Sequence, residues 1–200
     1  MPPFLAHALY ALAWLSFAAG HSVLAGRRAK ARLGLGAWTR LAYNLVALLH
    51  VMLVLAAGRL LLGDAGGWER PYGLATAQGV AAAAGLAVFL WGLSGYDLGR
   101  FAGTAQVRAH LAGRALAEDE PLRIGGAGRY VRHPLYAGGL LMLWGGVADA
   151  YTLATAVWAS LYLVAGMGLE ERRLLALYGD AYRDYRSRVP ALVPWRGRAI

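Results

Sequence analysis

Two short stretches of the chain carry side chains whose types and spacing point to chemistry. The first, RHPLYAG at residues 132–138, brings a guanidinium, an imidazole and a phenol together directly before a long apolar run. The second, EERRL at residues 170–174, places two carboxylates where that run ends. A carboxylate at such a depth is costly unless it meets a cationic partner. The two stretches are therefore predicted to meet.

The apolar run between them predicts how they meet. Residues 135–169 contain one charge, Asp149. A single helix of that length would extend about 50 Å, whereas a hydrocarbon core is about 30 Å thick. We therefore predict a helical hairpin that turns near GGVADAY, residues 145–151. A hairpin returns its end to the face where it began, so Glu170 is expected close to the first stretch.

The His-Pro pair predicts where the hairpin starts. A proline in the first helical turn costs no hydrogen bond, so Pro134 fixes the helix start and leaves His133 at the N-terminus. Unpaired amides and the helix dipole favour an anion there, and Arg132 adds a two-pronged donor for a carboxylate. The expected group is Arg132, His133, Tyr136 and Glu170. The alternative is a solvated helix end at a membrane boundary, with Glu171 paired to an arginine.

Composition places the chain in a membrane. Of its 200 residues 58% are hydrophobic and 16% are charged, unlike a soluble domain of this size. Apolar windows near residues 4–24, 40–62 and 74–96 are each long enough to span. With the hairpin they predict an all-α bundle of about five membrane helices. There is no cysteine, which excludes disulfides, thiolate nucleophiles and thiolate-bound metals.

The chain reads as a single membrane domain with four regions: three N-terminal spans (1–96), a cytoplasmic loop (97–132), the hairpin (133–169) and a tail (170–200). The tail predicts an amphipathic helix up to about Ser187, because apolar and aromatic residues recur at three- and four-residue steps. The N-terminal apolar stretch lacks the basic flank of a signal peptide and is read as a retained first helix.

Arginine and lysine residues are concentrated in particular segments between the predicted spans. They number five in residues 27–40, two in 59–73, six in 97–132 and seven from residue 172 onward. The positive-inside rule then places the N-terminus outside and the basic loops and tail in the cytoplasm, most simply in a bacterial inner membrane. The +9 net charge thus reflects topology, with attraction to anionic lipid second, and no nucleic-acid partner is expected.

The combined spacing carries a resemblance. The two stretches, followed by YGDAYRDYRSRVP at residues 178–190, are similar to the membrane methyltransferases that include isoprenylcysteine carboxyl methyltransferase and phospholipid N-methyltransferases. The N-terminal half, with HSVLAGRRAKARLG and YNLVALLH, resembles the bacterial branch that contains methanethiol S-methyltransferase.

The resemblance implies a site for S-adenosylmethionine, open to cytosol for the cofactor and to lipid for the acceptor. Its HPxY residues contact the cofactor, and so does the first glutamate of the pair. A glutamine on the preceding segment contributes as well, and residues 113–126 would close over the site. Here the implied contacts are His133, Pro134, Leu135, Tyr136, Glu170 and Gln106, with Arg132 and Tyr130 as neighbours. No catalytic nucleophile and no metal are expected, because methyl transfer is a direct displacement.

Two departures bear on the acceptor and on the ring contacts. Many members have a tyrosine five residues before the motif histidine, where this chain has Gly128, so Tyr130 is the candidate replacement. Isoprenylcysteine methyltransferases have an acceptor-binding arginine four residues before the motif glutamate, where this chain has Gly166. A small lipophilic acceptor, above all a thiol, is favoured over a prenylcysteine carboxylate or a phospholipid amine.

Other interpretations use different residues. His21 and His50 lie in or near the first two spans, and such a pair can ligate haem b. That would suit a haem-binding isomerase or assembly protein of the same architecture, although membrane histidines more often hydrogen-bond a neighbouring helix. A lipid reductase that uses NADPH is disfavoured, because the sequence shows no clear site for a 2′-phosphate.

Overall fold

The computed structural model describes residues 1–63, 66–114, 122 and 124–196, which are mostly helical and contain no strand. The all-α prediction is confirmed. The chain divides into two compact units: an N-terminal unit of Met1–Gly66 with Asp97–Asp119, and a hairpin unit of Gly67–Tyr96 with Glu120–Ile200. The helices are Pro3–Ala25 (α1), Arg27–Leu33 (α2), Thr39–Leu62 (α3), Tyr72–Leu93 (α4), Leu98–Ala102 (α5), Thr104–Leu111 (α6), Pro134–Gly145 (α7), Ala150–Tyr178 (α8) and Asp180–Arg188 (α9).

Within the described residues, four helical segments are long and apolar enough to cross a membrane. They are Pro3–Ala25, Gly36–Leu62, Tyr72–Leu93 and Ala150–Tyr178, so the protein is an integral membrane protein, as predicted. The first arm of the hairpin differs from the expected full span, because α7 has 12 residues and is only about 18 Å long. The described residues thus contain four helices of full length and the short helix α7, in agreement with a bundle of about five membrane helices in which one is shorter than expected.

The hairpin turns where the sequence predicts, between Gly145 and Ala150. The part of α8 from Ala150 to Glu170 is about 30 Å long and is therefore longer than α7. The start of α7 nevertheless lies beside Glu170, because the Tyr136 hydroxyl donates to Glu170 Oε2 at 2.8 Å.

Irregular backbone within a membrane protein needs its polar groups satisfied, and the turn meets this condition with side chains. Asp149 and Thr152 form a capping box at the start of α8: the carboxylate accepts from the Thr152 N–H at 2.7 Å, and the hydroxyl accepts from the Asp149 N–H at 3.0 Å. The Val147 carbonyl accepts from Arg70 at 3.1 Å and from Gln78 at 3.0 Å. These bonds hold the turn in one conformation.

Helices α4 and α7 touch backbone to backbone through glycines. A Cβ built on Gly138 would lie 2.6 Å from the Gly85 carbonyl oxygen and 2.6 Å from the Phe89 nitrogen. A Cβ on Gly145 would meet the Ala82 nitrogen at 2.6 Å. Small residues permit such an approach between membrane helices, so the glycine that ends RHPLYAG serves the packing of α7.

The end of the hairpin differs from the simple division at residue 170. Helix α8 continues without a break through the EERRL stretch to Tyr178. Gly179 then takes a positive φ of 55° and separates α8 from α9, because glycine adopts that conformation at no steric cost. The two glutamates therefore sit on a continuous rigid helix.

The N-terminal unit is held by close contacts of its own. Tyr10 is fully buried. A Cβ built on Gly58 would lie only 2.4 Å from its ring atoms, so the ring packs directly on the glycine. A Cβ built on Gly103, which has a φ of 97°, would lie 2.5 Å from the Leu41 nitrogen. Asn44 donates to the Phe101 carbonyl at 2.9 Å. These contacts join α1 to α3, and α3 to the short helix α5.

We expect Gly138→Ala to destabilise the protein and Gly139→Ala to be tolerated. The added methyl at Gly138 meets backbone atoms of α4 that have no room to move, at a cost of about 1–3 kcal/mol. A Cβ at Gly139 meets only the Leu163 side chain, at 3.9 Å. Thermal unfolding of the detergent-solubilised variants checks this, and equal melting temperatures would contradict the packing described for α4 and α7.

Candidate functional site

The site lies in the hairpin unit, where α7 begins and α8 ends; we call residues 132–136 with Glu170 and Glu171 the hairpin site. His133 is the N-cap of α7, and Pro134 is its first residue, as predicted. The pyrrolidine ring of Pro134 packs on α4, where a Cβ on Gly92 would be 3.0 Å away. This contact fixes the start of α7, and the imidazole of His133 is buried, with 6% of the residue exposed.

Arg132 and His133 both bond to the second glutamate. Arg132 donates to Glu171 Oε1 from Nε at 2.9 Å and from an Nη at 2.5 Å, and His133 Nε2 lies 3.0 Å from the same oxygen. The Arg132 and Glu171 side chains are 11% and 16% exposed. Glu171 is therefore engaged inside the protein and has little surface left for a ligand.

The first glutamate has a different environment. Glu170 Oε2 accepts a hydrogen bond from the Tyr136 hydroxyl at 2.8 Å and lies 3.7 Å from His133 Nδ1. The Tyr136 and His133 rings are stacked, 5.3 Å apart and nearly parallel. The Glu170 side chain is 41% exposed. Glu170 is thus an oriented carboxylate that still faces outward, which suits a cationic ligand group.

The segment after α9 ties the hairpin site to the tail. The Arg132 N–H donates to the Pro190 carbonyl at 2.9 Å, and the His133 N–H donates to the Ala191 carbonyl at 3.0 Å. The Arg132 guanidinium also donates to the carbonyls of Arg186 and Val189. This pairing could not be predicted from the sequence, because every residue carries a backbone carbonyl and side-chain types do not show which carbonyl accepts.

Two tail tyrosines form a buried cluster beside these contacts. Tyr182 and Tyr185 are 1% and 5% exposed and pack with Val189. Burial, and then the neighbouring Tyr182, raise the pKa of Tyr185 to about 12. The protonated Tyr185 hydroxyl donates to the Gly128 carbonyl at 2.7 Å. Gly128, where the resemblance led us to expect a tyrosine, is therefore contacted here by a tyrosine of the tail.

The other predicted site residues lie in different places. Tyr130 packs against Trp91 of α4, with ring centroids 5.4 Å apart, and a Cβ on Gly92 would lie 3.3 Å from Leu135. Gln106 belongs to α6 in the N-terminal unit, where it donates to the Arg100 carbonyl at 3.3 Å. The proposed covering loop includes residues 115–121 and 123, which lie outside the described residues.

The two membrane histidines are engaged by hydroxyls in the N-terminal unit. His21 Nε2 lies 2.5 Å from the Tyr43 hydroxyl, and His50 Nε2 lies 3.1 Å from Ser16 Oγ. The ring of Phe17 packs against both imidazoles at 5.5 Å. This is the arrangement of histidines that bond a neighbouring helix. Within the described residues, no group of three or more His, Asp or Glu is placed to hold a metal ion.

Comparison with known proteins finds several methyltransferases. The chain is 39% identical over 98 residues to methanethiol S-methyltransferase 1 of Bradyrhizobium diazoefficiens, covering 47% of this chain and 33% of that protein. It is 29% identical over 92 residues to protein-S-isoprenylcysteine O-methyltransferase of Schizosaccharomyces pombe, covering 43% and 38%. The predicted family resemblance is confirmed.

A further relative is methanethiol S-methyltransferase of Crocosphaera subtropica, 41% identical over 73 residues, which are 35% of this chain and 28% of that protein. The chain spans about a third of the length of these curated relatives. No family model and no solved structure matches it.

We expect Glu171→Gln to destabilise the hairpin unit strongly. The change leaves the Arg132 guanidinium, whose side chain is 11% exposed, without its carboxylate, and breaking a largely buried pair costs about 3 kcal/mol or more. The control is Asp184→Asn, whose ion pair with Arg188 is surface-exposed and is worth at most about 1 kcal/mol. Thermal unfolding measures both. A Glu171→Gln protein as stable as the control would contradict the buried pairing.

Proposed function

We propose that the chain is an integral-membrane methyltransferase that transfers a methyl group from S-adenosylmethionine to a small or lipophilic acceptor, in the first place a thiol. The observation that carries this proposal is Glu170, a carboxylate oriented by Tyr136 beside a buried histidine and left open on its outer side. The names of the relatives support the reaction class.

The residues present fit the cofactor. Its ammonium matches the open carboxylate of Glu170, and its carboxylate matches the start of α7, where helix amides lack intrahelical partners. The faces of aromatic rings attract cations such as a sulfonium, and Tyr136 and Tyr130 supply rings near the helix start. When bound, S-adenosylmethionine supplies an electrophilic methyl group that an acceptor displaces directly.

Arg132 has a positioning role in this proposal. Its guanidinium donors bond to Glu171 and to two carbonyls near the end of α9, so it holds the segment before α7 in place rather than reaching towards a cofactor carboxylate. His133 is fixed in the same way through Nε2. Since direct displacement depends on alignment of acceptor, methyl and leaving group, a rigidly held start of α7 is what the reaction requires of this part of the chain.

The proposed acceptor follows from the lack of a cationic side chain at position 166 of α8. Gly166 faces open space, with nothing within 4 Å of a Cβ placed there, and it stands where isoprenylcysteine methyltransferases have an arginine for a carboxylate acceptor. A thiol carries no carboxylate to be neutralised, so it suits this position better. The relatives reported above are named for both kinds of acceptor: two for methanethiol and one for isoprenylcysteine.

The second candidate is methylation of a prenylcysteine carboxylate, which the Schizosaccharomyces pombe relative favours. A phospholipid amine has no such support among these relatives. The haem-binding alternative has none in the geometry, because hydroxyls engage Nε2 of both His21 and His50.

The proposed setting is a bacterial inner membrane with the N-terminus outside and the hairpin site on the cytoplasmic side. The basic residues support this orientation, since loops 27–40 and 97–132 and the tail hold 18 of the 20 arginines and lysines. We further propose that the whole chain forms a single methyltransferase domain, and that Gln106 is a candidate contact to the cofactor.

Glu170→Gln is expected to lower the affinity for S-adenosylhomocysteine at least tenfold. Loss of a charged partner for the ammonium costs about 1.5–3 kcal/mol, and about 1.4 kcal/mol is tenfold. The matched control is Glu69→Gln, an exposed glutamate in the connection before α4. Calorimetric titration of detergent-solubilised protein measures the affinity, with an absorption scan for haem alongside. Equal affinity in both variants would place the cofactor elsewhere.

The acceptor prediction is that purified protein in lipid nanodiscs converts methanethiol and labelled S-adenosylmethionine to labelled dimethyl sulfide. Prenylcysteine is expected to be methylated much more slowly, because α8 presents no cation at Gly166. Headspace gas chromatography measures the first product, and solvent extraction of the labelled ester measures the second. Faster methylation of prenylcysteine would reverse the order of the two candidate functions.

A further inference from the structure

Helix α9 is followed by a short loop that exposes two apolar side chains; we call residues 190–196 the tail loop. Val193 and Trp195 are 62% and 69% exposed. The exposed side chains of α9 itself are charged or small. Within the described residues from Asp180 onward, large exposed apolar side chains are therefore confined to the tail loop. Apolar surface left open on an otherwise polar segment marks a contact with a membrane or with another protein.

Hydrogen bonds hold the tail loop in one shape. The Arg196 guanidinium folds back on α9 and donates to the Ser187 carbonyl at 2.6 Å and to the Arg188 carbonyl at 3.2 Å. The last carbonyls of a helix lack intrahelical partners, so these bonds also satisfy the end of α9. The Trp195 N–H donates to the Val193 carbonyl at 2.9 Å. The two apolar side chains therefore project from a fixed loop.

The start of the tail loop lies beside the point where the apolar part of the hairpin begins. The N–H groups of Arg132 and His133 donate to the carbonyls of Pro190 and Ala191 at 2.9 and 3.0 Å. The next residue, Pro134, is the first of helix α7, which carries no charge over its 12 residues. The tail loop therefore starts at the depth where the chain passes from its charged segment into apolar helix.

The exposed side chains lie a short distance along the chain from this point. Val193 is two residues beyond Ala191 and Trp195 is four residues beyond it, which is at most about 7 and 14 Å of extended chain. The headgroup region on each side of a bilayer is about 5–8 Å thick. Both apolar side chains are thus within reach of the membrane interface.

The chemistry of the tail suits a phospholipid surface. Tryptophan prefers the membrane interface, because its ring is apolar and its N–H group is polar. Residues 172–196 contain six arginines and two aspartates, for a net charge of +4. Basic residues next to apolar ones are attracted to the phosphates of lipid headgroups. Among the candidate partners for the exposed loop, the bilayer in which the chain is embedded matches both its apolar and its cationic groups.

We infer that Val193 and Trp195 insert into the headgroup region of the bilayer, and that this contact keeps the tail loop paired with Arg132 and His133. The bilayer then restrains the start of α7 from outside the protein. The inference does not depend on the proposed function, because it concerns only the membrane and the backbone pairing.

The first test measures contact with lipid. The chain has no cysteine, so Val193→Cys places a single environment-sensitive fluorophore on the loop of full-length protein in phospholipid nanodiscs. The control is Asp180→Cys, at a side chain that is 92% exposed and that follows about 12 Å of helix beyond Glu170. The probe on Val193→Cys is expected to emit at shorter wavelength and to lose intensity when nitroxide-labelled lipid is added, whereas the control keeps its emission.

The second test measures the backbone pairing by hydrogen exchange in the same nanodiscs. Trp195→Asp replaces an interfacial ring with a charge that resists entry into the bilayer. The Arg132 and His133 amides are then expected to exchange at least about fivefold faster than in wild type, since a lost hydrogen bond is worth about 1 kcal/mol. The control is Arg183→Ala, which also lowers the net charge by one at an exposed side chain of α9 and should exchange as wild type does.

Each outcome decides a part of the inference. Equal quenching of the two labelled variants would overturn the bilayer contact and leave the loop to water or to a protein partner. Quenching at Val193→Cys together with unchanged exchange in Trp195→Asp would overturn the restraint on Arg132 and His133. Neither measurement uses S-adenosylmethionine, so the proposed function can fail while both results stand.

Discussion

The hairpin unit depends on how one largely buried guanidinium, that of Arg132, is satisfied. Arg132 lies between the 3-10 turn Gly126–Arg129 and helix α7, and its donors bond to Glu171 and to the carbonyls of Arg186 and Val189. An unpaired buried charge is strongly destabilising, so these segments of the unit have to meet in one register. The start of α7, the end of α8 and the tail are thereby fixed relative to each other.

This constraint gives two adjacent glutamates, Glu170 and Glu171, different environments. Neighbouring residues on a helix point about 100° apart, so Glu171 turns towards Arg132 while Glu170 keeps an outward oxygen. Glu171 pairs with the Arg132 guanidinium and bonds to His133, and Glu170 accepts from the Tyr136 hydroxyl and lies beside His133 Nδ1. The pair therefore combines one structural carboxylate with one carboxylate that a ligand can reach. Either residue in the other's environment would lose its role.

The sequence predicted the parts of this arrangement that follow from chain length and from side-chain type. The turn near Asp149 follows from the length of the apolar run, and the start of α7 follows from Pro134. The sequence alone did not decide which glutamate Arg132 pairs with, because that depends on the rotation of α8. The packing of Gly138 against the α4 backbone and the bond from Tyr185 to the Gly128 carbonyl could not be predicted either. Backbone atoms are the same at every residue, so residue types do not show which of them form contacts.

The tail restrains the start of the short first arm of the hairpin. Helix α7 has 12 residues, and its position depends on close packing against α4 and on restraint at its first residue. The N–H groups of Arg132 and His133 donate to Pro190 and Ala191, which supplies that restraint from beyond α9. Direct methyl transfer depends on alignment more than on a reactive side chain. In the proposed enzyme the segment after α9 therefore acts on catalysis through the geometry of His133, although it contributes no group to the reaction.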